Sequence, residues 1–136
     1  MQRIIGLMLV AAIGAPAAAR TITVKPSPGA REALQTALIE AKAGDVVRLL
    51  AGRYGLDGGV SLDVSGVTVR GAGPGKTILD FTGQQGEGEG LLITGNDVLV
   101  RDLAVENAKG NGIKSKGSDG VSFVNLRVEW TGGPKA

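Results

Sequence analysis

The stretches NDVLVRDLAVEN (residues 96–107) and DGVSFVNLRVEW (residues 119–130) decide the predicted fold, because they align without a gap at an offset of 23 residues. Apolar residues occupy the same positions in both stretches, and a weaker copy, SGVTVRGA (residues 65–72), aligns Arg70 with Arg101. Self-similarity with a period of about 20 to 50 residues is typical of solenoids, whose units bury their apolar sides against each other. The sequence therefore predicts stacked units of similar structure.

One residue joins two alternating apolar pairs in each copy: Gly71 in the first, Asp102 in the second and Asn125 in the third. These residue types tolerate the left-handed backbone conformation, so each is predicted to be a structural corner with φ above zero. A one-residue corner cannot reverse the chain into a hairpin. We therefore expect the chain to bend and continue, with the Asp102 and Asn125 side chains stacked in a ladder.

A third strand is predicted in each unit, from the runs TILDF (77–81), GLLI (90–93) and GIKS (112–115). Three strands in each repeat of 23 residues predict one coil, and stacked coils form parallel sheets. Upstream, GAREALQTALIEAKAG (29–44) has the apolar spacing of an amphipathic helix, which we expect to cap the first coil. The predicted fold class is an all-β parallel β-helix with an N-terminal capping α-helix.

The N-terminus has the pattern of a secretory signal peptide over residues 1–19: a basic residue, an apolar run, and the small-residue site Ala17-Ala18-Ala19. The apolar run is too short for a spanning helix, so no transmembrane anchor is expected after cleavage. The predicted organisation is a signal peptide (1–19), an N-terminal strand and capping helix (20–45), and β-helix coils (46–136). The predicted location is secreted or periplasmic.

Composition excludes several classes of function. The 136-residue chain has a formal net charge of +2 and contains neither histidine nor cysteine, which excludes a histidine base and a disulfide framework. GAGPGKT (71–77) is similar to a nucleotide-binding P-loop, but Arg70 stands where that pattern requires glycine. A strand pattern follows the loop, whereas a P-loop must open a helix, so nucleotide binding is not expected. With one Trp, one Tyr, two Phe and no basic stripe interleaved with aromatics, a nucleic-acid partner is not expected either.

The segments GDVVRLLAGRY (44–54), GVTVRGAGPGKTILD (66–80), VLVRDLAVEN (98–107) and GVSFVNLRVEW (120–130) resemble the pectate-lyase-like superfamily. Residues 109–135 are similar to secreted bacterial parallel β-helix repeat proteins whose biochemical role is unassigned. The resemblance implies a right-handed parallel β-helix. It also implies a lyase, epimerase, hydrolase or esterase acting on acidic polysaccharides, or a binding or surface-attachment protein.

The chain departs from that family at TGGPKA (131–136), which lies inside a predicted inter-strand loop and is followed by no cap. We therefore expect an incomplete solenoid. Whether the protein is an enzyme stays open, because the family's catalytic residues usually lie on middle coils, which are expected outside this chain. An uncapped end also predicts end-to-end self-association.

Candidate binding residues follow from the implied acidic polysaccharide, whose carboxylates pair with lysine or arginine and whose rings stack on aromatic side chains. The alternatives are an ordinary soluble surface for the charges and, for the tryptophan, a shield over the last coil. The candidate substrate-binding residues are Lys109, Lys114, Lys116, Arg127 and Trp130.

A calcium site is the one cofactor hypothesis. Asp102, Glu106 and Glu129 offer the oxygen ligands that Ca²⁺ prefers, and the two glutamates are predicted to stack one coil apart. The alternative is a solvated acidic column without a metal. No other cofactor is indicated by the sequence.

Two functions are consistent with these features. The first is a secreted protein that binds, or helps to process, an acidic polysaccharide. The second is a non-catalytic module that presents a surface to a protein partner or to the cell envelope.

Overall fold

The computed structural model describes residues 18–132. The predicted signal peptide therefore lies outside the described residues except for Ala18 and Ala19, and residues 133–136 of the predicted C-terminal loop also lie outside them. The described elements are one helix, α1 (Ala30–Glu40), and ten strands: β1 (Thr21–Val24), β2 (Val46–Leu49), β3 (Gly52–Gly55), β4 (Val60–Leu62), β5 (Thr68–Arg70), β6 (Thr77–Asp80), β7 (Leu91–Ile93), β8 (Leu99–Glu106), β9 (Ile113–Ser115) and β10 (Ser122–Glu129).

The strands form two sheets in which all pairs are parallel. The larger sheet has seven strands in the order β1-β2-β5-β8-β6-β3, with β10 also paired with β8, and the smaller sheet has the order β4-β7-β9. Strand β8 pairs with β5 through its first half and with β6 through its second half. It is therefore the strand that joins the two arms of the larger sheet.

The predicted all-β, right-handed parallel β-helix is wrong. The described residues form a small α/β domain with ten strands in parallel sheets and one helix, and the sheets do not form a solenoid. The descriptions of the chain as a repeat protein and as an incomplete solenoid are wrong for the same reason. The internal alignment correctly identifies one local feature, the pairing of the neighbouring strands β8 and β10. Leu103 pairs with Leu126, and Glu106 pairs with Glu129.

Two features of the chain explain the wrong prediction. The sequence prediction makes TILDF the equivalent of GLLI and GIKS, but β6 pairs with β3 and β8 in the larger sheet, whereas β7 and β9 belong to the smaller sheet. It also divides the runs on either side of Asp102 into two strands, but they form one continuous strand. A single left-handed residue bends a strand without ending its ladder, because the pairing resumes at the next residue.

The core consists of inward-facing apolar side chains from both sheets and the helix. Along the larger sheet these side chains lie in register, so that each strand places its apolar residue over that of its neighbour. One buried row contains Val47, Val69 and Val100, and a second contains Tyr54, Leu79 and Val105. The Tyr54 hydroxyl lies 2.9 Å from the carbonyl oxygen of Val24 and 2.8 Å from that of Leu50, and burial raises the pKa of Tyr54 to about 12.

The predicted helix is confirmed, and it packs against β1, β3 and β4. Ala30, Leu34, Ala37 and Leu38 are buried, which is the spacing of one helical face. Helix α1 is neither long nor apolar enough to cross a bilayer, and residues 18–132 contain no other helix.

Helix α1 also occupies the free edge of the smaller sheet. The Gln35 side-chain amide donates to the carbonyl oxygen of Ser61 at 2.9 Å, and the Ser61 N–H donates to Gln35 Oε1 at 2.9 Å. These two bonds reproduce the pairing that another strand would make with β4. Since unpaired edge strands promote association, this side chain protects the edge.

Candidate functional site

The predicted corners are confirmed at two of three positions. Asp102 and Asn125 have φ values of 59° and 53°, and Asn125 Nδ2 donates to Asp102 Oδ1 at 2.8 Å, which is the predicted ladder. The amide of Asn125, together with the Arg101 guanidinium, holds the pKa of Asp102 below its usual range. Gly71 is not left-handed, so this part of the prediction is wrong. Glycine is required there because a Cβ atom would collide with the carbonyl oxygen of Asp102.

A second ladder centres on Asn107, which the sequence analysis did not identify. Asn107 has a φ of 62° and is only 6 % exposed. Its Nδ2 donates to Thr82 Oγ1 at 3.0 Å and to Thr131 Oγ1 at 2.9 Å, and its Oδ1 accepts from the Thr131 N–H at 2.7 Å. The internal alignment places Trp130 opposite Asn107, so the two aligned stretches carry no repeated signal for this corner.

The second half of the larger sheet carries a row of paired charges, which we call the paired row: Arg53, Asp80, Glu106, Arg127 and Glu129. Asp80, Glu106 and Glu129 lie in register on β6, β8 and β10. Arg53 Nη1 donates to Glu106 Oε1 at 2.9 Å and to Asp80 Oδ2 at 3.0 Å, and Arg127 Nη1 donates to Glu106 Oε2 at 2.9 Å and also contacts Glu129. The Arg53 guanidinium, followed by that of Arg127, holds the pKa of Glu106 below its usual range although the carboxylate is buried.

This row bears on the calcium hypothesis. Glu106 and Glu129 are neighbours as predicted, but the cation beside them is the Arg127 guanidinium, and Asp102 is bonded instead to Arg101 and Asn125. Among residues 18–132, no group of three acidic residues is arranged to hold a metal ion. The described residues therefore give the calcium hypothesis no support.

The predicted basic cluster is dispersed. Lys114 lies on β9 of the smaller sheet, where its Nζ is 3.7 Å from Glu89 Oε1, and Lys116 follows the same strand. Arg127 lies on the larger sheet in the paired row described above. Of the four basic candidates, Lys109, in the loop after β8, lines the same cleft as Trp130, the candidate sugar-stacking residue.

Lys109 and Trp130 line an open cleft of about 460 Å³. Val105 and Val128 supply apolar surface, and Glu129 and the half-buried Trp130 also line the cleft. The backbone N–H of Lys109 donates to the buried Gln84 side chain at 2.9 Å, which anchors this loop. The structure therefore brings an exposed ammonium and the only tryptophan of the chain to one cleft.

A basic stripe that the sequence analysis missed lies on the first half of the larger sheet. Arg48 on β2 is in register with Arg70 on β5, which is in register with Arg101 on β8. The signal was present in the dipeptides Val47-Arg48, Val69-Arg70 and Val100-Arg101. Each valine is buried, so each arginine faces the other side of the strand. We call these three residues the arginine row.

The environment of the arginine row differs from that of the paired row. Arg48 and Arg70 are exposed and form no ion pair with any residue in the described range, whereas Arg101 Nε donates to Asp102 Oδ2 at 2.6 Å. Arg48 and Arg70 line a groove of about 400 Å³ together with residues 49–51 and 71–72. The stripe is thus an accessible, positively charged surface.

Comparison with known proteins gives no family: no family model matches the chain, and no curated protein or solved structure is detectably similar to it.

Proposed function

We propose that this is an exported protein that binds an acidic polysaccharide through the cleft between Lys109 and Trp130. The observation that supports the proposal is the position of these two side chains on one cleft of about 460 Å³. Ligand sites of small molecules commonly measure about 300–1,000 Å³, so the cleft has the size for one or a few sugar units.

The chemistry of the two residues is complementary to an acidic sugar. An indole face packs against the apolar C–H face of a sugar ring, and an ammonium pairs with a uronate carboxylate. Glu129 lies in the same cleft, and its contact with Arg127 offsets the repulsion that it would exert on an anionic ligand.

Binding fits this part of the molecule better than glycosidic hydrolysis does. A glycosidase requires a carboxylic acid that stays protonated near neutral pH, through a raised pKa, beside a second carboxylate. Glu106, the buried carboxylate next to the cleft-lining residues Val105 and Asn107, has its pKa lowered by two guanidiniums. It is therefore an ionised structural group and a poor general acid.

Trp130 provides its own probe, because it is the only tryptophan of the chain. Titration with oligogalacturonate should shift the indole emission, and Lys109→Ala should weaken the affinity by about tenfold, the scale of one charged contact in a partly dehydrated site. Lys42→Ala removes the same charge at an exposed position after helix α1 and should change the affinity by less than about twofold. Calorimetric binding of the oligomer without any change in indole emission would exclude the cleft as the site.

The alternative function, a non-catalytic interaction module, is favoured by a different observation. Phe123, Val124 and Val128 on β10 are 50 %, 41 % and 51 % exposed, an unusual concentration of large apolar side chains on one strand. This alternative gains support if the acidic polysaccharide fails to bind and the protein associates with other chains through β10.

A further inference from the structure

We propose that two copies of this chain pair their β10 strands in antiparallel orientation, about a twofold axis that passes between Val124 and Asn125. The proposal names the partner of the interaction module given above as the alternative function, and it rests on that alternative. Phe123 and Val128 on β10 are 50 % and 51 % exposed, although their register partners on β8 are buried. A strand from a second copy would bury them as β10 buries the apolar residues of β8.

The apolar pattern of this segment is the same in both chain directions. Its inward-facing side chains, which continue the buried rows or pack against the core, are Val121, Phe123, Leu126 and Val128. They are separated by two, three and two positions in the sequence. Residues directly opposite each other in an antiparallel pair share one face of the sheet. Opposing residue 123 to residue 126 of the second copy therefore also opposes 121 to 128, so each of these apolar side chains meets another.

The corner at Asn125 makes this self-pairing possible. In a straight strand, side chains three positions apart face opposite sides of the sheet. The left-handed backbone of Asn125, with a φ of 53°, shifts the alternation by one residue, so that Phe123 and Leu126 both face inward. A twofold axis perpendicular to the sheet then brings the same surface of both copies into contact, with interior facing interior.

The other sheet edges explain why β10 meets a second β10. The larger sheet ends at β1 and β3, and the smaller sheet ends at β4 and β9. Helix α1 packs against β1, β3 and β4, so the edges away from the helix among the described strands are those of β9 and β10. Pairing of β10 with β1 of another copy would have to displace the helix and would continue as a filament. Pairing of β10 with β10 closes at two copies.

The charges of β10 are compatible with this contact. Its two charged residues are Arg127 and Glu129, which contact each other, and Arg127 also contacts Glu106 within the same copy. In the proposed register Arg127 lies opposite Ser122 and Glu129 lies opposite Gly120, so no like charges are opposed. The strand therefore offers apolar groups rather than unpaired charges, which suits a second copy of itself.

The size of the contact is that of a specific interface. Residues 120–129 extend for about 33 Å at about 3.3 Å per residue, and two packed sheets with their side chains present an end about 20 Å wide. The resulting area is about 660 Å² per copy, and specific interfaces bury about 600–1,000 Å² per partner. Ten opposed residues also form about ten backbone hydrogen bonds, the number found at a typical interface.

The test uses disulfide trapping, because the chain contains no cysteine of its own. Val124 lies in register with Arg101 on the outer face of the sheet and is 41 % exposed. Across the proposed axis the Cα atoms of residue 124 in the two copies are about 6 Å apart, from a strand separation of about 5 Å and a rise of about 3.3 Å per residue. A disulfide requires about 4.4–6.8 Å. Val124→Cys should therefore form a covalent dimer in oxidised glutathione.

Ser122→Cys is the matched control. Ser122 is exposed and lies on the same face of the same strand. In the proposed register the two copies of residue 122 are more than about 15 Å apart, which no disulfide spans. Val124→Cys should thus be cross-linked at least tenfold faster than Ser122→Cys, as measured on non-reducing gels of the purified full chain. Thermal unfolding of each reduced variant, compared with that of the wild type, establishes that it is folded.

Three results would overturn the proposal. Equal cross-linking of both variants indicates parallel pairing or random collision. Association of the wild type in sedimentation without preferential cross-linking of Val124→Cys removes the twofold register but leaves the interaction module. A protein that stays monomeric and cross-links in neither variant has β10 covered by its own chain or by a partner of other sequence, or has no association at this strand. The polysaccharide titration of the Lys109–Trp130 cleft is read separately, so its failure and the failure of the β10 pairing are distinguishable.

Discussion

At the scale of single residues, Asn107 combines two roles that few side chains can fill together. Its backbone is left-handed, a conformation that costs most L-residues about 1–2 kcal/mol, and its buried amide bonds to Thr82 and Thr131. Asn107→Ala should lower the free energy of unfolding by about 2–3 kcal/mol, because it loses the tolerance of that backbone conformation and leaves polar groups unpaired. Urea denaturation measures the change.

Two further variants separate those contributions. Asn107→Gly keeps the backbone conformation and loses only the hydrogen bonds, so its destabilisation should be smaller than that of Asn107→Ala. Asn111→Ala, at an exposed position whose single side-chain bond is a long one of 3.4 Å, should stay within about 0.5 kcal/mol of the wild type. If glycine destabilises as much as alanine does, backbone conformation contributes nothing at this position.

At the scale of elements, the paired row ties β3, β6, β8 and β10 together through Glu106 and two arginines. The pKa of Glu106 is lowered on folding, so its ionised form stabilises the folded state at neutral pH. That stabilisation is present above the usual carboxyl pKa and is lost as the pH falls through the lowered value. The free energy of unfolding should therefore fall as the pH drops below about 5, in part because of this residue.

Glu106→Gln tests this assignment. The variant should be destabilised by about 1–3 kcal/mol at pH 7, because both arginines lose a charged acceptor, and its stability should fall less steeply in acid than that of the wild type. Glu87→Gln, at an exposed loop position, is the matched control and should retain the wild-type slope. Denaturation curves at several pH values measure both slopes, and identical slopes in Glu106→Gln and the wild type would remove Glu106 as the cause.

The elements also show what the sequence can predict here and what it cannot. Helix α1 and the pairing of β8 with β10 followed from apolar spacing and self-alignment, since both depend on local pattern. The pairing of β6 with β8 did not, because Ile78 meets Ala104 through a long-range register that periodicity does not encode.

The same difference applies to the candidate sites. The arginine row depends on two strand registers, that of β2 with β5 and that of β5 with β8, which the sequence does not predict, although each Val-Arg dipeptide is visible in it. The residues of the predicted basic cluster are divided between the two sheets, because the chain crosses from β8 of the larger sheet to β9 of the smaller sheet between Lys109 and Lys114.

At the scale of the whole molecule, the exposed apolar side chains of β10 offer a surface for contact with other chains. Phe123 and Val128 continue the buried rows of Val100 and Val105, but they are about half exposed, and β10 pairs only with β8 among the described strands. Exposed apolar groups on an edge strand favour association, because contact buries them and pairs the free backbone groups.

We therefore expect concentration-dependent association of the purified protein in sedimentation velocity, and Phe123→Ser should weaken it by about tenfold, the scale of one partly buried aromatic contact. Ile39→Ser is the matched control, because Ile39 is 68 % exposed on helix α1 and does not belong to β10, and its loss should leave association unchanged. If Ile39→Ser disperses the protein and Phe123→Ser does not, the contact runs through the helix. If neither variant changes the sedimentation profile, β10 is not an interaction surface, and the interaction-module alternative loses the observation that supports it.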